Sequence, residues 1–365
     1  MDENNKKRKI SKKKKKTSKA WEKVMSSFTD DLWIEIFLYL PFKSLLRFKS
    51  VSKSWLSIIS NHRFAKSYLD TDAKDDNECP IVHHEIGDIE EEEDGPFSLF
   101  NLDLGDILKH LQFPYSQGCD CGIVSVSVDL SYWRAAKKKY DVYLWNPTTK
   151  HSKLIPPFTI EPNNDWTTLG FGFDHIDLDF KVVRVVFVRV VSTSAEVYSS
   201  NRNGWLKIES ELIDTPASSS FLVFHGFLFA IGDTNSMMAF NLNKEVFIYG
   251  IKLPISNFDN DTSFIDITYF KDNIGVINSI VNEGVPIEFL KVLYSNSQCL
   301  LFEKDEDRFS YMWNNKVTTN IPTRPYLERG EIFKYTKSLF SLVGFKRIKW
   351  AASSPRLEDS SDSDE

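Results

Sequence analysis

The sequence predicts an α+β protein of several parts, in which a small helical domain precedes a much larger all-β domain. Aromatic residues make up 14% of the 365 residues, and Phe alone supplies 28. Aromatic side chains favour the pleated, half-buried surfaces of strands, so a β-rich body is expected. Between Leu32 and Leu40, apolar positions instead recur at helical spacing. We expect these boundaries: a basic disordered tail at 1–26, a helical domain at 27–70, an acidic linker at 71–96, a β domain at 97–348 and an acidic disordered tail at 349–365.

The N-terminal tail carries eleven Lys and Arg within its first 23 residues, although the net charge of the chain is −6. Like charges with almost no apolar residues cannot form a packed core. Such a cluster is typical of a nuclear localisation signal, which an acidic groove on an import carrier reads. The alternative is a solvated tail with nonspecific affinity for nucleic acid. The predicted signal comprises Lys6, Lys7, Arg8, Lys9, Lys12, Lys13, Lys14, Lys15 and Lys16.

The first helix has recognisable start and stop signals. Thr29 can cap it by accepting a backbone N–H, and the two aspartates that follow suit the positive end of the helix dipole. Leu32, Ile36 and Leu40 form one apolar stripe, and Pro41 disfavours helical geometry at Leu40, so the helix is expected to end there. Three further short helices are expected at about 42–49, 52–59 and 63–69.

A helical domain of about forty residues buries only a little over half of its unfolded surface. This segment is so rich in apolar residues that some of them should remain exposed. An exposed apolar patch usually marks a partner site. The alternative is that the patch packs on the C-terminal domain.

The segment from Phe28 to Leu69, FTDDLWIEIFLYLPFKSLLRFKSVSKSWLSIISNHRFAKSYL, resembles an F-box. It departs from the family pattern at Phe28-Thr29, where Leu-Pro is usual, and at Phe37, where Leu is usual. The matching residues are Asp31, Leu32, Glu35, Ile36, Leu40, Pro41, Ser44, Leu45, Leu46, Arg47, Phe48, Val51, Lys53, Trp55 and Phe64. The resemblance implies docking on the Skp adaptor of an SCF (Skp–cullin–F-box) ubiquitin ligase. The predicted Skp-binding residues are Leu32, Ile36, Leu40, Pro41, Leu45, Leu46 and Phe48, while Trp55 is expected to hold the bundle together.

The β domain shows a weak repeat, in which an apolar strand enters a polar turn. These turns begin at Asn146, Asn201, Asn241 and about Lys304. Repeats of roughly 40 to 50 residues with a hairpin in each suggest the blades of a β-propeller-like domain, and the number of blades stays open.

The same region resembles the F-box-associated domain of plant F-box proteins, including S-locus and kelch-repeat relatives. The matching pieces are Cys119-Asp120-Cys121-Gly122-Ile123, Leu144-Trp145-Asn146-Pro147-Thr148-Thr149, Leu169-Gly170-Phe171-Gly172-Phe173-Asp174, Phe180-Lys181-Val182-Val183-Arg184, Glu245-Val246-Phe247 with Leu253-Pro254, and Tyr335-Thr336-Lys337-Ser338-Leu339. The two resemblances together cover about 28–342. They imply that the β domain binds a target protein.

No catalytic motif stands out, and we expect neither a cofactor nor a metal. Gly170 and Gly172 do not form a dinucleotide fingerprint, because a strand rather than a helix is expected after them. Four cysteines are too few and too scattered for a disulfide framework, which indicates a reducing, intracellular compartment. Cys119 and Cys121 are separated by one residue where zinc sites usually have two, so they are interpreted as small strand residues. The residues here whose side chains carry metal-ligand atoms include Cys79, His83, His84, Cys119 and Cys121.

The resemblances imply a non-catalytic substrate adaptor, which binds Skp and, through it, a cullin ligase, and presents a target protein for ubiquitination. The rival hypothesis is a nuclear protein that uses its basic tail on nucleic acid, independently of a ligase. The expected location is the nucleus, with the cytoplasm as a second location, and no membrane association is expected. Ser360, Ser361 and Ser363 lie among acidic residues and are candidate sites for an acid-directed kinase.

Overall fold

Two compact units form the protein, a helical unit up to Asp75 and a β unit from Asp76 onward. The predicted nuclear localisation signal, Cys79, His84 and the C-terminal serines lie outside the described residues. The computed structural model describes residues 28–71, 81–83, 97–101, 106–111, 115–129, 140–160, 166–188, 192–209, 221–232, 236–253, 263–270, 273–280, 290–295, 299–304, 307–312, 317–321, 332–333 and 335–347.

The described residues of the helical unit form four short helices: α1 Asp30–Leu38, α2 Phe42–Phe48, α3 Lys53–Ile59 and α4 His62–Asp70. The predicted cap of α1 is confirmed, because Thr29 accepts a hydrogen bond from the backbone N–H of Leu32. Ser52 and Asn61 cap α3 and α4 in the same way. α1 ends at Leu38 rather than at Leu40. The restriction that Pro41 imposes on the residue before it therefore acts beyond the helix, after a turn through Tyr39.

The β unit is built from antiparallel strands. Their bounds are β1 Ile81–His83, β2 Phe97–Asn101, β3 Asp106–Leu111, β4 Tyr115–Asp120, β5 Ile123–Asp129, β6 Tyr140–Asn146, β7 His151–Leu154, β8 Trp166–Asp174, β9 Asp179–Val188, β10 Ser192–Ser199, β11 Gly204–Ile208, β12 Leu222–Phe224, β13 Phe227–Ile231, β14 Ser236–Asn241, β15 Val246–Lys252, β16 Ser263–Phe270, β17 Asn273–Ile280, β18 Leu290–Ser295, β19 Cys299–Lys304, β20 Asp307–Met312, β21 Val317–Ile321, β22 Ile332–Phe333 and β23 Lys346–Arg347.

Within the described residues these strands form six sheets, and three of the six are four-stranded meanders of consecutive strands. This arrangement confirms the predicted order of a helical part followed by a propeller-like β part. Two sheets also receive a strand from the C-terminal region, since β22 pairs with β1 and β23 pairs with β7. β1 lies inside the segment that the sequence analysis assigned to the linker. Three residues of the predicted linker thus form a strand that pairs with β2, which the acidic composition of that segment does not indicate.

Three of the four predicted repeat turns occupy equivalent places in their sheets. The turns after Asn146, Asn201 and Asn241 join the third strand of a sheet to the fourth, as β6–β7, β10–β11 and β14–β15. The predicted fourth copy is not equivalent, because Lys304 ends β19, the second strand of its sheet.

Glycines allow one face of β8 to approach the next sheet closely. A Cβ at Gly170 would lie 2.8 Å from side-chain atoms of Leu228 and Phe221, and one at Gly172 would lie 2.7 Å from Leu242. Alternating with them, Phe171 and Phe173 are fully buried. As predicted, these glycines lie in a strand that leads into another strand, so they do not form a nucleotide-binding loop.

In the part of the chain that the structure describes, no helix has both the length and the apolar character needed to cross a membrane.

Candidate functional site

An apolar stripe lies exposed along α1. Leu32 is 43% exposed, Ile36 is 38% exposed, and Tyr39 just beyond the helix is 89% exposed. Their spacing of four and then three residues places them on one face of the helical path. A small bundle that leaves this face to solvent has apolar surface available to a partner. We call Leu32, Ile36 and Tyr39 the α1 stripe.

The core beneath the α1 stripe is aromatic. Phe37 is fully buried and its ring lies 5.2 Å from Trp55 and 6.4 Å from Phe64, both edge-on. Trp55 also contacts Trp33 and Phe48, with ring centroids 4.9 and 5.0 Å apart. The expected role of Trp55 in holding the bundle together is therefore confirmed.

The other predicted Skp-binding residues differ in their exposure. Pro41 is exposed, whereas Leu40, Leu46 and Phe48 are half-buried. Leu45 is fully buried, so in this conformation it packs inside the bundle, and its contact with a partner stays a prediction. Helical spacing alone did not separate the inner face of α2 from its outer face, because apolar residues occupy both.

Four exposed apolar residues of the helical unit are not among the predicted docking residues. Phe28 is exposed before α1, Val51 after α2 and Leu56 on α3, and Tyr39 belongs to the α1 stripe. For Tyr39, its position seven residues after Leu32 is a signal that the sequence did contain. Val51 lies outside a helix, so periodicity gives no information about its direction.

In the β unit, several turns meet at one end, which we call the turn end. There Asn146 joins the first of the three repeat sheets to a C-terminal segment. Its side-chain amide donates 3.0 Å hydrogen bonds to the carbonyl oxygens of Ser338 and Phe340. Its carbonyl oxygen accepts from the backbone N–H groups of Thr148 and Thr149, at 3.0 and 3.1 Å. The Asn-Pro-Thr-Thr piece therefore forms a buried structural joint.

A second joint at the turn end centres on Asp174 and Lys181. The Lys181 ammonium lies 3.2 Å from Asp174 and 2.9 Å from Glu245, and it donates a 2.6 Å hydrogen bond to the carbonyl oxygen of Leu242. Asn243 also donates to the Asp174 carboxylate. Burial raises the pKa of Asp174, but hydrogen bonds from Asn243, the backbone and Lys181 outweigh it, so that the pKa lies below its ordinary value.

A polar cleft of about 520 Å³ lies beside this joint, between the β8–β9, β10–β11 and β14–β15 turns. Lys181 and Glu245 line it, and Arg202 at its edge donates to Glu245 at 2.8 Å. Lys181 and Arg202 of one sheet both pair with Glu245 of the next, so these charges join the two sheets.

A third joint is the fully buried pair Arg184 and Glu196, which are cross-strand neighbours on β9 and β10. The guanidinium donates to Glu196 at 2.8 Å and to the carbonyl oxygen of Ile160 at 2.7 Å, and it lies 4.1 Å above the Phe158 ring. The other carboxylate oxygen of Glu196 accepts from Thr159.

Chemically reactive groups also gather at the turn end. Ligand atoms of Asp120, Cys121 and His175 all lie within 4.8 Å of one another. Cys119 is a buried residue of β4, as expected. Cys121 is not a strand residue as expected, because it occupies the β4–β5 turn with a φ of 47°. No local pattern in the sequence identifies this group, because His175 is remote from the other two residues in the chain.

Comparison with known families matches both units. The family model described as F-box domain covers residues 25–67, and the one described as F-box associated beta propeller domain covers residues 106–289.

Curated relatives from Arabidopsis thaliana agree with these matches. A putative F-box only protein 15 is 27% identical over 62% of this chain and 59% of its own length. The F-box protein CPR1 is 26% identical over 55% of this chain and 48% of its own length, and an F-box/kelch-repeat protein is 32% identical over 47% and 48%. The chain thus spans about half to three fifths of the length of these relatives.

Among solved structures, a chain from a study of prolyl endopeptidases aligns with 65% of this chain and 38% of its own. Its TM-score of 0.35 and identity of 6% are too low to assign a shared fold. The two family models are much more informative, because one spans the helices and the other spans half of the chain. The chain belongs to the family of plant F-box proteins that carry an F-box-associated β-propeller domain.

Proposed function

We propose that the protein is a non-catalytic substrate adaptor of an SCF ubiquitin ligase. The helical unit docks on a Skp-family subunit and the β unit binds a target protein. Holding a target near the ubiquitin-carrying enzyme raises the effective concentration of the target's lysines at that enzyme. The adaptor therefore needs no catalytic group of its own.

The exposed α1 stripe is the observation that supports docking most directly. Covering a fully exposed Leu or Ile contributes about 1.5 to 3 kcal/mol, and these side chains retain roughly two fifths of their surface for a partner. The aromatic core fixes the stripe in place before binding, which lowers the entropy lost on association.

The β unit supports the second half of the proposal through its rigidity. Its family motifs form buried joints, and the joint of Lys181 with Leu242 and Glu245 links two sheets, so the loops that these sheets carry have a fixed framework. Binding residues are commonly found on loops that a rigid scaffold positions.

Binding of the full-length protein to a recombinant plant Skp subunit tests the docking step. We expect the double variant Leu32→Ala with Ile36→Ala to bind at least about tenfold more weakly, since central apolar anchors commonly contribute more than about 1 kcal/mol each. Leu206→Ala is the matched control, because it truncates an exposed leucine of β11 in the other unit.

Thermal unfolding should show that the double variant still folds, with a modest loss of stability because its two side chains are partly covered, and that the control unfolds much as the wild type does. Undiminished Skp affinity of the double variant would contradict the docking proposal. Equal weakening by Leu206→Ala would do so as well, since it would show that the effect is not specific to α1.

We also propose nuclear import through the basic tail. Its support is the run of nine Lys and Arg between Lys6 and Lys16. Deleting residues 1–20 should lower the nuclear fraction of a fluorescently tagged chain, and an unchanged distribution would refute the import role. Salt-sensitive DNA binding that the deletion abolishes would instead support the nucleic-acid hypothesis.

A further inference from the structure

Three side chains of metal-ligating type meet between two sheets at the turn end of the β unit. Asp120 ends β4, Cys121 follows it in the β4–β5 turn, and His175 begins the β8–β9 turn. One ligand atom from each lies within 4.8 Å of the other two. We propose that Asp120, Cys121 and His175 bind a divalent transition-metal ion of the zinc class, which links the two sheets.

Backbone hydrogen bonding fixes two of the three residues relative to each other. The Asp120 carboxylate accepts a 2.8 Å hydrogen bond from the backbone N–H of Phe173, two residues before His175. The ring of Phe173 contacts that of His175 edge-on, with centroids 5.1 Å apart. The carboxylate of one sheet and the imidazole of the next are therefore held together before any ion binds.

The backbone of Cys121 is unusual for its residue type. Cys121 and Gly122 have φ values of 47° and 70°, and they form a two-residue hairpin turn between Asp120 and Ile123. Such turns favour Asn or Asp at the first position and Gly at the second, since both residues need positive φ. A cysteine at this position adopts a disfavoured backbone conformation. This turn places its sulfur at the junction of the two sheets, near Asp120 and His175.

The donor set suits zinc better than magnesium or calcium. Thiolate and imidazole are soft or borderline ligands, whereas magnesium and calcium prefer oxygen ligands alone. In a tetrahedral zinc site with bonds of about 2.0 to 2.3 Å, ligand atoms lie roughly 3.5 Å apart. A contraction of about 1 Å is therefore required, and the exposed side chain of His175 can supply it. Water completes the fourth position.

Metal binding at this group is coupled to proton release, because the thiolate of Cys121 rather than its thiol is the metal ligand. The thiol proton passes to solvent when the ion binds.

Cobalt(II) is a suitable probe, because a cobalt–thiolate bond gives a near-ultraviolet charge-transfer band and tetrahedral cobalt absorbs strongly in the visible. Titration of the full-length, reduced, tag-free protein should produce both bands, and added zinc should bleach them. Cys121→Asn suits the left-handed turn and removes the sulfur, so the charge-transfer band should vanish. His175→Gln should weaken cobalt binding at least about tenfold, as even supporting residues of metal sites do.

His225→Gln is the matched control. His225 occupies the first position of the β12–β13 turn with a φ of 48°, followed by Gly226, and it lies outside the three-residue group. It should bind cobalt as the wild type does. The proposal is overturned if the wild type shows no charge-transfer band, if the band persists in Cys121→Asn, or if His225→Gln weakens binding as much as His175→Gln.

Discussion

The helical unit and the β unit distribute their polar and apolar groups in opposite ways. The helical unit keeps an aromatic core yet leaves Leu32 and Ile36 in contact with solvent. The β unit instead encloses charged residues, with Arg184 and Glu196 fully buried as a pair. One unit therefore has uncovered apolar surface, and the other has internal polar joints.

This difference separates two sources of specificity. Covering an exposed apolar group with a partner removes it from water and lowers the free energy, so such groups favour association. A buried ion pair stabilises the fold little more than apolar residues of similar size would. Removing one partner is nevertheless costly, because the charge of the other stays buried without compensation. We therefore expect the helical unit to be sensitive to changes in its core and tolerant at its surface. The β unit should be sensitive at its polar joints.

The largest expected effect is the loss of the helical unit on Trp55→Ala. Replacing a buried aromatic residue with Ala costs about 3 to 5 kcal/mol, which rivals the total stability of so small a bundle. Hydrogen exchange measured by mass spectrometry should show residues 28–71 losing protection while β8–β15 retain it. Leu56→Ala is the control on the same helix, since Leu56 is exposed, and retained protection in Trp55→Ala would contradict the prediction.

Glu196→Ala should destabilise the β unit by about 3 to 5 kcal/mol, because it leaves the buried charge of Arg184 without its carboxylate. Urea unfolding monitored by tryptophan fluorescence checks this. Arg202→Ala breaks an ion pair whose arginine is exposed and should cost about 1 kcal/mol or less. Similar losses in the two variants would show that burial is not the deciding factor.

Gly170→Ala should destabilise the β unit by about 1 to 3 kcal/mol through overpacking, because the new methyl group would meet Leu228 and Phe221 at 2.8 Å. In Gly204→Ala the nearest atom would be 3.9 Å away, so that variant should unfold at nearly the wild-type urea concentration. A Gly170→Ala protein with wild-type stability would show that the two sheets can separate without strain.

The smallest effect concerns acid. The folded-state pKa of Asp174 lies below its ordinary value, so its contribution to stability is present above the unfolded-state pKa of about 4 and is lost as the pH falls through the folded-state value. Stability of the β unit should therefore decline below about pH 4, and Asp174→Asn should decline less steeply. The measurement is the urea concentration at the unfolding midpoint of both proteins as the pH is lowered. An equally steep decline of the midpoint in wild type and Asp174→Asn would refute the prediction.

Much of the helical unit was predictable because its signals are local. Thr29 caps α1 within its first turn, whereas Pro41 predicts the end of α1 two residues too late, because it restricts Leu40 beyond the helix. Whether the Leu45 side chain points into the bundle or toward solvent was not predictable in the same way. Burial depends on which neighbouring helix covers a given face, and a segment with apolar residues on several faces does not specify that.

In the β unit, the turns after Asn146, Asn201 and Asn241 were predictable from their residue types. The functions of the motif residues were not, because their partners are far away in the chain. Asn146 binds the carbonyl oxygens of Ser338 and Phe340, and Asp120 lies beside His175. Such contacts depend on how whole sheets pack, which no local pattern in the sequence encodes.

The pairing of β22 with β1 has a consequence for synthesis of the protein. Because Phe333 pairs with Ile81, the sheet that contains β1 cannot gain this strand until residue 333 has left the ribosome. Contacts between such distant residues also slow folding, since loop-closure entropy must be overcome first. Until then the outer edge of β1 lacks this partner strand, and chaperones that shield such edges should raise the yield of folded protein.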